Sequence, residues 1–198
     1  DLGWGTADAK TVTLSFWVHS SLTGTFGGSL RNSAGDRSYP FSYSIPVANT
    51  WTQISVTIAG DTSGTWLTTN GVGIRLSYSI GSGSNWAGTA DAWNSDNNWT
   101  VSGATSVVGT SGATFYITGV QLETGTTATD FENLQYGQQL ALCQRYYYRT
   151  ATGVAYTILS SGYTHATTEV LTLLSYPLMR VVPTLTASGA WQVLQASV

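Results

Sequence analysis

Apolar and polar residues alternate with a period of two, in short runs separated by turn signals, and this pattern constrains the chain more than any other feature. Val12, Leu14, Phe16 and Val18 alternate with Thr13, Ser15, Trp17 and His19. Successive side chains of a strand point to opposite faces, so such a run is a half-buried strand. Phe26, Gly28 and Leu30 repeat the pattern, NSAGD at 32–36 is turn chemistry, and Phe41, Tyr43 and Ile45 return as a hairpin partner. Ile54, Val56 and Ile58 form the next run, entered from Ala48-Asn49-Thr50-Trp51. The cleanest alternation is Val72, Ile74, Leu76, Tyr78 and Ile80, with Gly73, Arg75, Ser77 and Ser79 on the other face. No helical pattern precedes Asn133, so the expected class is all-β, an antiparallel sandwich of the jelly-roll or immunoglobulin-like kind.

The run from Thr114 to Leu122 is rich in aromatic and β-branched residues and reads as a further strand. Gly119 interrupts it, which predicts a bulge or a close backbone approach. ETGTTATD then reads as a loop, and Leu140, Cys143 and Tyr147 are spaced for one face of a short helix. On that face Cys143 is expected to be a small buried residue. Residues 154–159 and 169–176 are strand-like, and Pro183-Thr184-Leu185-Thr186 begins another strand. Pro177 and Pro183 keep the LMRVV between them from being a central strand throughout.

The junction TFYITGVQLETGTTATDFE followed by YGQQLALCQRYYYR resembles one found in phage tail-fibre and related virion structural proteins. There a jelly roll similar to a carbohydrate-binding module ends in the first segment, and a C-terminal knob begins with the second. WGTADAKTVTLSFWV and YPLMRVVPT resemble further parts of the same proteins. The resemblance narrows the sandwich to a jelly roll over residues 1–129. It makes 130–149 a linker with a short helix and 150–198 the start of a C-terminal β domain. It also implies a virion, extracellular location, partnership with other virion proteins and three-fold assembly, with a host surface glycan as the expected ligand; the apolar strand edge at 170–174 and three successive tyrosines, Tyr146 to Tyr148, put the contacts of the expected homotrimer after Phe131.

Composition agrees with an extracellular or virion surface. Charged residues make up 9% of the chain, far below the usual level of about a quarter. The formal net charge of −3 leaves no basic footprint for nucleic acid or anionic membrane, and no apolar run is long enough for a membrane-spanning helix. The single Cys143 rules out an internal disulfide. Both ends lie in patterned sequence, so the chain is expected to be a piece of a longer protein.

The exception to the alternation is residues 81–103, GSGSNWAGTADAWNSDNNWTVSG, almost free of aliphatics yet holding Trp86, Trp93 and Trp99. A long loop in a compact domain is usually functional or mobile. A pyranose offers an apolar face and a rim of hydroxyls, so indoles beside Asp91, Asp96 and Asn98 have the composition of a sugar site. The alternative is that the indoles are plugs holding a polar loop on the sandwich. Trp17 and Arg75, each opposite its strand's apolar row, are a second candidate platform through cation–π stacking, with burial beneath the loop as the alternative. Asp91 and Asp96 are the best pair for glycosidase chemistry, but turn-making and hydrogen bonding to sugars account for them better. No nucleophile elbow, zinc-binding helix or phosphate loop is present, so the expected protein is not an enzyme. No cofactor is expected. Asp8, Asp61 and Asp130 offer a structural calcium site only by analogy with sugar-binding jelly rolls. A ligand-free virion spacer and an accessory module of a secreted glycoside hydrolase are the competing functions, the latter disfavoured by LALCQRYYYR.

Overall fold

The computed structural model describes residues 2–69, 71–149, 162–166, 169–173 and 175–184. It divides into two compact units, Asp1–Phe131 and Glu132–Val198. The first contains strands β1 (Val12–Ser20), β2 (Gly24–Arg31), β3 (Ser38–Ile45), β4 (Thr52–Ile58), β5 (Arg75–Ser79), β6 (Ala87–Gly88), β7 (Thr100–Val101) and β8 (Phe115–Thr124). Two three-stranded antiparallel sheets, ordered β4-β1-β8 and β3-β2-β5, face each other across one core.

The period-two rows become the inner faces. Val12, Leu14, Phe16 and Val18 of β1 are fully buried and meet Phe26, Leu30, Phe41, Tyr43 and Ile45 from the opposite sheet. Phe16 anchors the join, with ring centroids 5.2 Å from Tyr43 and 5.0 Å from Tyr78, both near edge-to-face. Burial raises the pKa of both tyrosines above the free phenol's, which keeps their hydroxyls protonated in the core.

The turn expected at 32–36 closes the β2–β3 hairpin. Asn32 is fully buried, and its side-chain oxygen accepts from the backbone N–H groups of Gly35 (2.9 Å) and Arg37 (3.3 Å). Gly35 has φ +74°, a conformation other residues adopt at a cost. The bulge expected at Gly119 is also present. Between Ser15↔Gln121 and Trp17↔Thr118, the single residue Phe16 faces both Gly119 and Val120, and Gly119 has φ +58°.

The strand expected over 72–80 is shorter. β5 pairs only with β2, and β2 ends at Arg31, opposite Arg75, so residues before Arg75 have no ladder partner. Beyond Ser79, the Ile80 carbonyl accepts from Val107 and Val108 instead of continuing the sheet.

The second unit, described by itself, contains helix α1 (Tyr136–Gln144) and the antiparallel pair β9 (Gly162–Ala166) and β10 (Glu169–Thr172). β10 covers the first half of the strand expected over 169–176. The strand expected over 154–159 lies outside the described residues, as does all but the start of the one expected at 183–186. The expected burial of Cys143 is corrected: the thiol is exposed, Leu140 is 40% exposed and Tyr147 71%. The spacing does align Leu140 with Cys143, but no residue of α1 is buried, and Tyr147 lies beyond the helix end.

Candidate functional site

Residues 81–103 fold across the outer face of the β3-β2-β5 sheet. That face carries the off-phase row of each strand: Gly27, Ser29 and Arg31 from β2, Ser38 from β3, and Arg75 and Ser77 from β5. Gly27 lets the loop sit close. A Cβ there would lie 2.5 Å from Thr100 Oγ1 and 3.1 Å from the Val101 nitrogen. The loop makes its own small ladder, β6 parallel to β7, and is stapled to β3 by paired backbone bonds between Ser38 and Asn94 (2.7 and 3.1 Å). The Ser38 hydroxyl donates to the Asp96 carbonyl at 2.6 Å.

This frame treats the three tryptophans differently. Trp93 turns inward to the end of the sandwich. Its indole N–H donates to the Ala59 carbonyl (2.8 Å), and its ring lies edge-on to Trp4 (5.4 Å), Trp66 (5.4 Å) and Tyr39 (5.2 Å). It is a plug. Trp86 and Trp99 stay at the surface, 46% and 38% exposed, as an edge-to-face pair 5.8 Å apart. They lead into the two parallel strands from the same end of the β6-β7 ladder, and the Trp99 backbone N–H donates to the Trp86 carbonyl at 2.8 Å.

Beneath Trp99 lies Arg31, its guanidinium carbon 3.7 Å from the ring centroid. Arg31 donates to Asn97 Oδ1 (2.6 Å) and Ser77 Oγ (3.1 Å). Burial, and then the neighbouring charge of Arg75, lower its pKa below the free guanidinium's. Arg31 is the functional candidate that sequence reasoning missed. The available signal was Arg31 closing the polar row of β2, in a chain with only seven basic residues.

The other candidates fall as follows. Asn98 is buried, and a Cβ on Gly88 would lie 2.6 Å from its Nδ2. Asp96 is exposed. Both line an open groove of about 680 Å³ beside the ladder, with Thr25, Ser42, Asn94 and Ser102. Asp91 is exposed with φ +56°, and its N–H donates to the Pro40 carbonyl, so its backbone does turn-making work. The shared platform of Trp17 and Arg75 is corrected. Trp17 is on β1 and Arg75 on β5, so they stand on the outer faces of opposite sheets and do not meet. Trp17 instead lies beside Gly119: a Cβ built there would be 3.3 Å from Trp17 Cδ1 and 3.8 Å from Phe131 Cδ2.

The calcium analogy does not fit these residues. Asp61 is 2% exposed and both its oxygens accept from Arg37, from Nε and Nη2, each at 2.7 Å. Hydrogen bonding to Asp61 raises the Arg37 pKa. Among the described residues no group of three or more His, Cys, Asp or Glu side chains is placed to hold a metal. No described helix is long and apolar enough to cross a membrane. Comparisons with protein-family models, curated proteins and solved structures find no match for this chain.

Proposed function

We propose that the first unit is a non-enzymatic glycan-adhesion module and that Trp86 and Trp99 are its contact surface. The observation that carries this reading is the half-exposed indole pair, held on a hydrogen-bonded ladder and backed by Arg31 and Asn97. Exposed aromatic rings offer sugars apolar area with little conformational entropy to lose, and the polar groove beside the ladder supplies hydrogen-bonding groups. The jelly-roll description of the sandwich and the virion tail-fibre setting rest on the resemblance of TFYITGVQLETG and LALCQRYYYR. Host attachment and three-fold assembly of the chain belong to the same reading.

A ligand-free spacer is the second reading, and Trp93 favours it, because one of the loop's three indoles is spent on packing. A glycan array probed with the whole chain separates the two: the adhesion reading expects sugar-dependent binding, and a spacer gives none. Light scattering on the whole chain reads the assembly, a trimer being expected and a monomer refuting it.

A further inference from the structure

Two arginines stand directly opposite each other on the outer face of the β3-β2-β5 sheet. Arg31 of β2 is the register partner of Arg75 of β5. Like charges at facing positions of an antiparallel pair oppose folding. Arg31 is moreover 3% exposed, and its hydrogen-bond partners Asn97 and Ser77 are neutral. Among the described residues its Nε has no hydrogen-bond partner. The Arg75 side chain is exposed and makes no hydrogen bond or ion pair with any described residue. Buried charges are ordinarily paired, because an uncompensated one loses hydration without recovering it elsewhere.

The same sandwich shows what a structurally compensated arginine looks like. Arg37 sits in a two-pronged salt bridge with buried Asp61, both contacts at 2.7 Å. Among the described residues no carboxylate plays that part for Arg31 or Arg75. The uncompensated pair lies beside the half-exposed Trp99, whose ring covers the Arg31 guanidinium at 3.7 Å.

We propose that the glycan taken by the Trp86–Trp99 surface is acidic, carrying a carboxylate or sulfate that seats against Arg75. This rests on the glycan-adhesion reading and adds the ligand's charge to it. Arg75 makes the direct contact, since guanidinium and carboxylate match as a two-pronged, charge-assisted pair. Arg31, covered by Trp99, contributes its charge from beneath and holds the indole in place. An anion there offsets the repulsion between the two facing guanidiniums.

The test is a glycan array of matched neutral and acidic oligosaccharides, with uronate, sialylated and sulfated members, probed with the whole chain at low and high salt. Acidic members should bind about tenfold more tightly than their neutral counterparts at low salt, a preference that shrinks as salt screens the charges. Arg75→Gln should lower acidic binding by about tenfold, while Arg75→Lys, which keeps the charge but loses the two-pronged fit, should lower it by a smaller factor. Equal binding of neutral and acidic members overturns the inference and leaves glycan adhesion standing. Binding to no member overturns both. Acidic binding that Arg75→Gln leaves unchanged removes Arg75 from the site and the inference with it.

Discussion

Trp93 and Trp99 belong to one polar loop and have the same side chain, yet one is part of the packing and the other part of the surface. The difference lies in what each segment of the loop is fixed to. Trp93 adjoins the Asn94 staple on β3, an edge strand, so its ring can turn around that edge towards Trp4 and Trp66. Trp99 adjoins β7, which lies across Gly27 on the outer face, so its ring comes to rest over Arg31. An aromatic residue in a loop therefore takes its role from the strand position beneath it rather than from its neighbours in sequence.

The largest expected effect separates the two on stability. Trp93→Ala removes a ring with three aromatic neighbours and a hydrogen bond, and should cost about 3 kcal/mol in chemical denaturation. A cost no greater than that of Trp99→Ala would erase the distinction. Gly27→Val attacks the other side, because a side chain there collides with Thr100 and the Val101 backbone. It should cost about 1–3 kcal/mol as an overpacked site and abolish glycan binding, while Trp93 keeps its native fluorescence and protection. A crystal structure of that variant with β7 still in place would break the account of how the loop is seated.

Trp99→Ala should weaken glycan binding about tenfold and lower stability by about 1 kcal/mol, the worth of its stacking on Arg31. Titration calorimetry beside a thermal melt reads both quantities. The smallest effect serves as a control on the opposite sheet. Hydrogen bonds from the Gln121 amide, then from the Thr129 backbone and hydroxyl, hold the Glu123 carboxyl below its ordinary pKa. A depressed carboxylate stabilises the fold above its unfolded pKa, about 4.3, and that contribution fades as pH falls through the folded value. Amide exchange at Thr129 should accelerate with acid over that range relative to its intrinsic rate, with both indole groups unchanged.

The sandwich was legible because half-buried strands write their burial directly as alternation, and the rows at Val12, Phe26, Phe41 and Ile58 all reached the core. Asn32 and Gly119 were legible for a similar reason, since turn and bulge chemistry is local. The end of β5 was not, because it depends on where β2 runs out opposite Arg75. The fates of Trp86, Trp93 and Trp99 were equally hidden: composition shows that a loop holds indoles, and only the tertiary staples decide which face inward. Arg31 escaped notice because its partnership with Arg75 exists only once the register of two strands separated in sequence is known. Cys143 misled because helical spacing shows which residues share a face and is silent on whether anything covers it.

The position of β1 has a consequence for how this unit comes into being. The first strand of the chain is the middle strand of its sheet, flanked by β4 and by β8, the last strand of the sandwich. The β2–β3 hairpin closes over a short turn, but the β1–β8 ladder joins segments about a hundred residues apart, as Val12↔Thr124 shows. Loop closure of that length must be met before the contact is rewarded, so folding is expected to be slow, on the ms–s scale of strongly non-local β proteins. On the ribosome, β1 waits with an unpaired edge until β8 has emerged, and that edge is the segment a chaperone or a neighbouring nascent chain would meet first.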